Sequence, residues 1–106
     1  MSGDTLERLV ATIRERRGAA ADRSYTRQLL DAGPSRCAKK LGEEAVEVVI
    51  AAVHQDDSAL KAEAADLLYH LLVLLEVRDI AFVDVLAVLD ERVGTSGVDE
   101  KASRTS

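Results

Sequence analysis

Apolar residues recur along this chain at helical rather than strand spacing. Leu6, Leu9, Val10 and Ile13 follow the i, i+3, i+4, i+7 pattern of one helix face, with Asp4 or Thr5 placed to cap it and Gly18 near its end. "AAADR", residues 19–23, reads as a short connector. Ser24 then offers a second cap, before a brief helix through Leu29 and Leu30 that should stop at Gly33. Pro34 suits the first turn of a third helix, where its missing N–H has no intrahelical partner to lose. That helix is expected to run to about His54. Its apolar positions Cys37, Leu41, Ala45, Val46, Val48, Val49, Ile50, Ala52 and Val53 cover an arc far wider than the stripe of a surface helix, so it should be surrounded.

"HQDDS" is a turn with capping residues, and a fourth helix from about Ser58 carries a leucine run to Arg78. A fifth, about Phe82 to Val93, sets Phe82, Val85, Leu86 and Leu89 at helical spacing. Beyond Gly94 the tail "TSGVDEKASRTS" has almost nothing to bury and is read as disordered. The pattern therefore predicts an all-α fold. One domain over residues 1–93 holds about five helices, two of them long, antiparallel and central, and is followed by the tail 94–106. The surplus apolar surface predicts a homodimer that completes a shared helical bundle; the alternative is that the first and fifth helices cover it all.

Composition narrows this picture without redirecting it. A chain of 106 residues is one domain's worth, and with two Tyr, one Phe and no Trp its core must be Leu, Val, Ile and Ala. Six glycines, one proline and no tight-turn dipeptide between alternating runs argue against a sheet. Cys37, the lone cysteine, allows neither an internal disulfide nor a zinc cluster and fits a reducing cytosol, where it would serve as a small buried hydrophobe. The opening "MSGDTLERLVATIRERRG" lacks an apolar signal core, so a cytoplasmic location is expected. The longest uncharged apolar run, residues 67–75, falls well short of the roughly 20 residues a bilayer requires, so no membrane role is expected.

The net charge of −5 is unevenly spread: residues 1–40 carry nine Lys/Arg against five Asp/Glu, and the remainder five against fourteen. That acidic majority speaks against nucleic-acid binding. Its most concentrated part is "KKLGEEAVE", residues 39–47, on the third helix. Glu44 and Glu47 are three apart, which puts their Cβ atoms roughly 5–6 Å from each other. The fourth helix repeats the arrangement with Glu63 and Asp66, and His70 lies one turn further on.

A short turn makes the two helices antiparallel. Glu47 stands nine residues before residue 56 and Asp66 ten after it, so the two pairs meet at one height. Carboxylates converging in a partly dry place need a positive partner, and oxygen-only ligation suits Mg²⁺ first and Mn²⁺ second. A di-iron site would call for Glu-x-x-His on two helices, a motif the chain lacks. The plainer alternative is a pair of solvated charged faces, with Lys39–Glu43 and Lys40–Glu44 as i, i+4 ion pairs.

With these residues in place the chain resembles the phosphoribosyl-ATP pyrophosphohydrolase branch of the MazG-like all-α nucleoside triphosphate pyrophosphohydrolases. Glu43, Glu44, Glu47, Glu63 and Asp66 match the superfamily signature Glu-Glu-x-x-Glu followed by Glu-x-x-Asp. "SYTRQLL" at 24–30, "KKLGEEAVE" at 39–47 and "EAADLLYHLLVLL" at 63–75 are similar to the histidine-pathway branch in particular. The resemblance covers roughly residues 5–93. It implies Mg²⁺-dependent hydrolysis between the α and β phosphates of phosphoribosyl-ATP, giving phosphoribosyl-AMP and pyrophosphate.

It further implies that Glu44, Glu47, Glu63 and Asp66 are the metal ligands, with Glu43 as an outer ligand or the residue that orients water. Arg36, Lys39 and Lys40 lie one or two turns upstream and are candidates to meet the triphosphate, or else simply snorkel at a helix start. Ser24, Tyr25 and Thr26 are candidates for substrate contact, or a cap and packing residues. His70 and Tyr69 read as hydrogen-bonded core residues. Some members of the family carry a fused cyclohydrolase domain for which this chain has no room, so a separate phosphoribosyl-AMP cyclohydrolase is implied as pathway partner. Two rivals remain: a housekeeping enzyme acting on other nucleoside triphosphates, and a non-catalytic helical oligomerisation module.

Overall fold

The computed structural model describes residues 2–18 and 24–93. They form five helices: α1 (Ser2–Gly18), α2 (Tyr25–Ala32), α3 (Pro34–His54), α4 (Asp57–Val77) and α5 (Phe82–Val93). The all-α class and the order of elements match the periodicity. The expectations for the connector 19–23 and the tail 94–106 lie outside the described residues.

Helix starts follow capping chemistry more closely than apolar spacing. Ser24 caps α2, its side chain accepting the Arg27 N–H at 3.2 Å. Asp56 caps α4 by accepting the Ala59 N–H at 2.9 Å, so the helix begins just before the Ser58 expected from sequence. At α1 the expected cap is displaced. The helix already begins at Ser2, and Asp4 sits within its first turn, where a negative charge offsets the dipole.

Gly33 closes α2 and opens α3 with φ 93° and ψ 175°, a region open essentially to glycine alone. This lets Pro34 start the next helix at once. The Cys37 N–H donates to the Gly33 carbonyl at 3.2 Å.

The antiparallel hairpin of α3 and α4 is the principal packing unit; α2 lies against α1, α3 and α4, and α1 also rests on α4. Ile13, Leu29, Leu30, Cys37, Leu72 and Val73 form the buried core, so each of the first four helices contributes to it. The Cys37 thiol donates to the Leu29 carbonyl at 3.1 Å, and burial pushes its pKa up, which keeps it a neutral, packed thiol. The far end of α1 is tied to the end of α4 by ion pairs. Arg17 Nη1 reaches Glu76 Oε2 at 2.9 Å and Asp79 Oδ1 at 2.7 Å, and Arg14 Nε lies 3.4 Å from Glu76 Oε1. Arg17 also donates to the Glu76 carbonyl at 2.8 Å, fastening side chain to backbone where α4 stops.

The expectation that α3 is surrounded is not met within one chain. Only Cys37 and Ala51 of this helix are buried, and Val46, Val49, Ile50 and Val53 remain exposed. Nor does α5 cover the surplus, since it buries no residue of its own and leaves Val83, Leu86, Val88, Leu89 and Val93 exposed. The apolar arc of α3 exceeds what the other helices of the same chain can reach. No helix among the described residues is long and apolar enough to cross a membrane.

Two substitutions test this account of the core. Ile13→Ala is expected to cost about 2–5 kcal/mol, the range for truncating a fully buried Ile. Gly33→Ala should cost about 1–3 kcal/mol through backbone strain alone, because no atom lies within 4 Å of an added Cβ. Urea denaturation of each variant against wild type reads both.

Candidate metal centre

Two helices and the turn between them bring the acidic residues together. The Gln55 N–H donates to the Ala51 carbonyl at 3.1 Å, ending α3, and Asp56 caps α4 immediately afterwards. So short a reversal forces the helices antiparallel and leaves little freedom in their register. Glu44 on α3 and Glu63 and Asp66 on α4 then each offer a carboxylate oxygen within 4.8 Å of the other two. Glu44 and Glu63 are half-buried, and Asp66 is exposed.

Glu47, one turn along α3, is exposed and stands outside that tight group. Its charge still reaches the group. Partial burial, then the charges of Glu47, Asp66 and Glu44, then a hydrogen bond with Asp66 push the Glu63 carboxyl above the usual carboxylate range. Burial is the first cause, and like charges held nearby without compensation add to it in the same direction. All the donors are hard carboxylate oxygens, a set that fits a divalent cation such as Mg²⁺ and offers nothing to a soft metal.

The remaining candidates divide clearly. Glu43 is exposed and pairs with Lys40 at 3.6 Å, an i, i+3 contact in place of the i, i+4 pairs that the spacing suggests. Arg36 and Lys39 are exposed on the opening turns of α3. Ser24 is occupied as the cap of α2. Thr26 Oγ1 is hydrogen-bonded to the Tyr69 hydroxyl, and the Tyr25 hydroxyl lies 3.2 Å from His70 Nε2. His70 is buried and hydrogen-bonded, as its leucine neighbours suggested, with Nδ1 2.8 Å from the Asp66 carbonyl.

Sequence reasoning named each of these side chains but did not pair α2 with α4. Partners 43 and 45 residues apart leave no periodic signal in the chain. The consequence is chemical: the start of α2 is bonded to the same stretch of α4 that carries Glu63 and Asp66.

The repulsion around Glu63 has a measurable sign. A carboxyl whose folded-state pKa is raised binds its proton more tightly in the native protein. It therefore costs stability once the pH exceeds that raised value, and the cost disappears as the pH falls below the ordinary glutamate range. In chelator at neutral pH, Glu63→Gln is expected to melt at a higher temperature than wild type. The gap should close toward about pH 4. With Mg²⁺ added the order should reverse, because the variant has lost a ligand; thermal melts with and without the ion measure both effects.

Comparison with known proteins agrees with this geometry. The family model for phosphoribosyl-ATP pyrophosphohydrolase matches residues 6–93, a span that contains every helix described except the first residues of α1. A phosphoribosyl-ATP pyrophosphatase of Cereibacter sphaeroides is 57% identical over 99 residues, covering 93% of this chain and 96% of the relative. That of Dinoroseobacter shibae is 58% identical over 99 residues, with 93% and 97% covered. The Agrobacterium fabrum protein of the same name is 54% identical over 104 residues, with 98% and 97% covered. On the matched helices, the acidic hairpin and this agreement in length and sequence, the chain belongs to the phosphoribosyl-ATP pyrophosphohydrolase family.

Proposed function

We propose that this chain hydrolyses phosphoribosyl-ATP between its α and β phosphates, giving phosphoribosyl-AMP and pyrophosphate in histidine biosynthesis. The observation that carries the reading is the convergence of Glu44, Glu63 and Asp66 across the α3–α4 hairpin of a chain with this family membership. Glu44, Glu63 and Asp66, with Glu47 beside them, would hold Mg²⁺, or Mn²⁺ in its place. When bound, the ion neutralises charge on the phosphate oxygens and makes water a better nucleophile.

The chain's own residues supply the rest. Without a cation, four carboxylates repel a polyphosphate, so productive binding is tied to the ion. Glu43, exposed and adjacent to Glu44, orients the attacking water or supports a ligand. Arg36, Lys39 and Lys40 lie N-terminal to the carboxylates on the same helix, where positive charge favours the departing pyrophosphate. Water adds at phosphorus, the bridging P–O bond breaks with its electron pair going to the leaving group, and a carboxylate accepts the water proton.

The exposed stripe of Val46, Val49, Ile50 and Val53 supports a homodimer in which a second copy covers it. The free, buried Cys37 supports a reducing, cytoplasmic setting. A separate cyclohydrolase would then take phosphoribosyl-AMP onward.

Incubation with phosphoribosyl-ATP and Mg²⁺ is expected to release pyrophosphate, and Glu44→Gln or Glu63→Gln to lower kcat/KM by about 10²-fold or more. Release of orthophosphate would refute the cleavage position, and faster turnover of ordinary or damaged nucleoside triphosphates would replace the substrate. Unchanged activity in both variants would remove the carboxylate metal site from the reading, and a wild type that releases no pyrophosphate at all would leave only a helical oligomerisation module. For assembly, Val49→Glu combined with Val53→Glu should halve the sedimenting mass; a wild-type chain that sediments as a monomer would remove the dimer from the proposal.

A further inference from the structure

The aromatic group at the start of α2 is more elaborate than packing requires. Tyr25 is 48% exposed, yet its hydroxyl is fixed 3.2 Å from Nε2 of His70, a residue only 6% exposed. The hydrogen-bond roles follow from chemistry. Nδ1 lies 2.8 Å from the Asp66 carbonyl, which can only accept, so Nδ1 carries the proton and donates. Nε2 is then left to meet the Tyr25 hydroxyl, which can donate or accept.

The hydroxyl of Tyr25 is thus already committed. What remains to it for a further contact is its ring. The side turned to Tyr69 is stacked, with centroids 6.4 Å apart and planes 22° from parallel, and the edge meets His70 at 74°. Tyr69 is itself held, by its hydroxyl on Thr26 and by an edge contact to His70 at 5.0 Å. With its hydroxyl and these ring contacts engaged, Tyr25 is still about half exposed.

A half-exposed side chain held by a buried polar partner costs rotamer entropy that burial does not return. Such an arrangement is explained when the fixed surface receives a ligand. Its location names the ligand class. His70 follows Asp66 by four residues and Glu63 by seven, so the three share one face of α4, about 6 and 10 Å apart along the axis. A half-exposed aromatic ring beside His70 therefore lies within about two helical turns of the carboxylates, a separation that a purine and its phosphates can span.

We propose that Tyr25 is the stacking platform for the purine ring of the substrate, and that His70 is the positioning residue that holds it. This rests on the reading of the substrate as a purine nucleotide. It assigns Tyr25 a contact through the ring rather than the hydroxyl.

The test compares ATP with tripolyphosphate, which carries the phosphates without a base, by calorimetry in Mg²⁺. Wild type is expected to bind ATP about tenfold or more tightly than tripolyphosphate, within the range for stacking one base. Tyr25→Leu should erase that margin while leaving tripolyphosphate affinity unchanged, and Tyr25→Trp should keep it. On phosphoribosyl-ATP the loss in Tyr25→Leu should fall in KM. His70→Leu should weaken ATP in the same direction. The double variant should bind ATP no worse than Tyr25→Leu alone, a non-additivity that a merely structural histidine would not produce.

An ATP margin that survives Tyr25→Leu, or losses from the two single variants that add, overturns the proposal, as does a wild type without any margin. Tyr25 is a half-exposed position, so its variants decide the matter even if His70→Leu fails to fold. Binding needs no turnover. A wild type that prefers ATP through Tyr25 but does not cleave phosphoribosyl-ATP refutes the reaction alone, whereas cleavage with an unchanged margin in Tyr25→Leu refutes the stacking alone.

Discussion

Like charges held close by a rigid hairpin are the constraint around which this molecule is arranged. Glu44, Glu63 and Asp66 gather within 4.8 Å because α3 and α4 reverse direction over a turn of two residues, and neither helix can rotate its acids away without unpacking. Partial burial and those neighbouring charges together raise the proton affinity of Glu63. A protein tolerates such repulsion only when packing elsewhere holds the backbone, and here the buried cluster from Ile13 to Val73 does so.

The smaller helices are best understood as supports for that hairpin. Gly33, in a conformation that other residues resist, lets α2 fold back directly onto the start of α3, where Leu29, Leu30 and Cys37 pack together. From there Tyr25 and Thr26 reach His70 and Tyr69, so two side-chain hydrogen bonds join α2 to α4 within a turn or so of the carboxylates. At the opposite end Arg17 binds both the side chain and the carbonyl of Glu76. The helix carrying the acids is thereby braced along its length by α2 and α1.

The outer side of α3 is the complement of that economy. Its valines and Ile50 are too many for a chain whose other helices are already engaged, and α5 adds more apolar surface than it covers. Exposed aliphatic surface of this kind, beside a charged site, is the usual mark of an interface, because water ordered around it is released when a second surface arrives.

Much of this was legible in the chain. Helical periodicity, Ser24, Gly33 and Pro34 placed the elements, and doubled acidic spacing on two helices of matched register placed Glu44, Glu63 and Asp66, since both depend on neighbours within one or two turns. The start of α1 was misplaced because Ser2 continues the helix ahead of Asp4 without an apolar marker. Burial on α3 was overstated because periodicity reports which residues are apolar, not whether anything lies against them. Local sequence therefore determined the helices and the chemistry they carry. Tertiary structure alone decided that Glu47 stands outside the tight carboxylate group, that Lys40 turns to Glu43, and that the Tyr25 hydroxyl ends on His70, since each depends on where side chains meet in space rather than on their spacing along the chain.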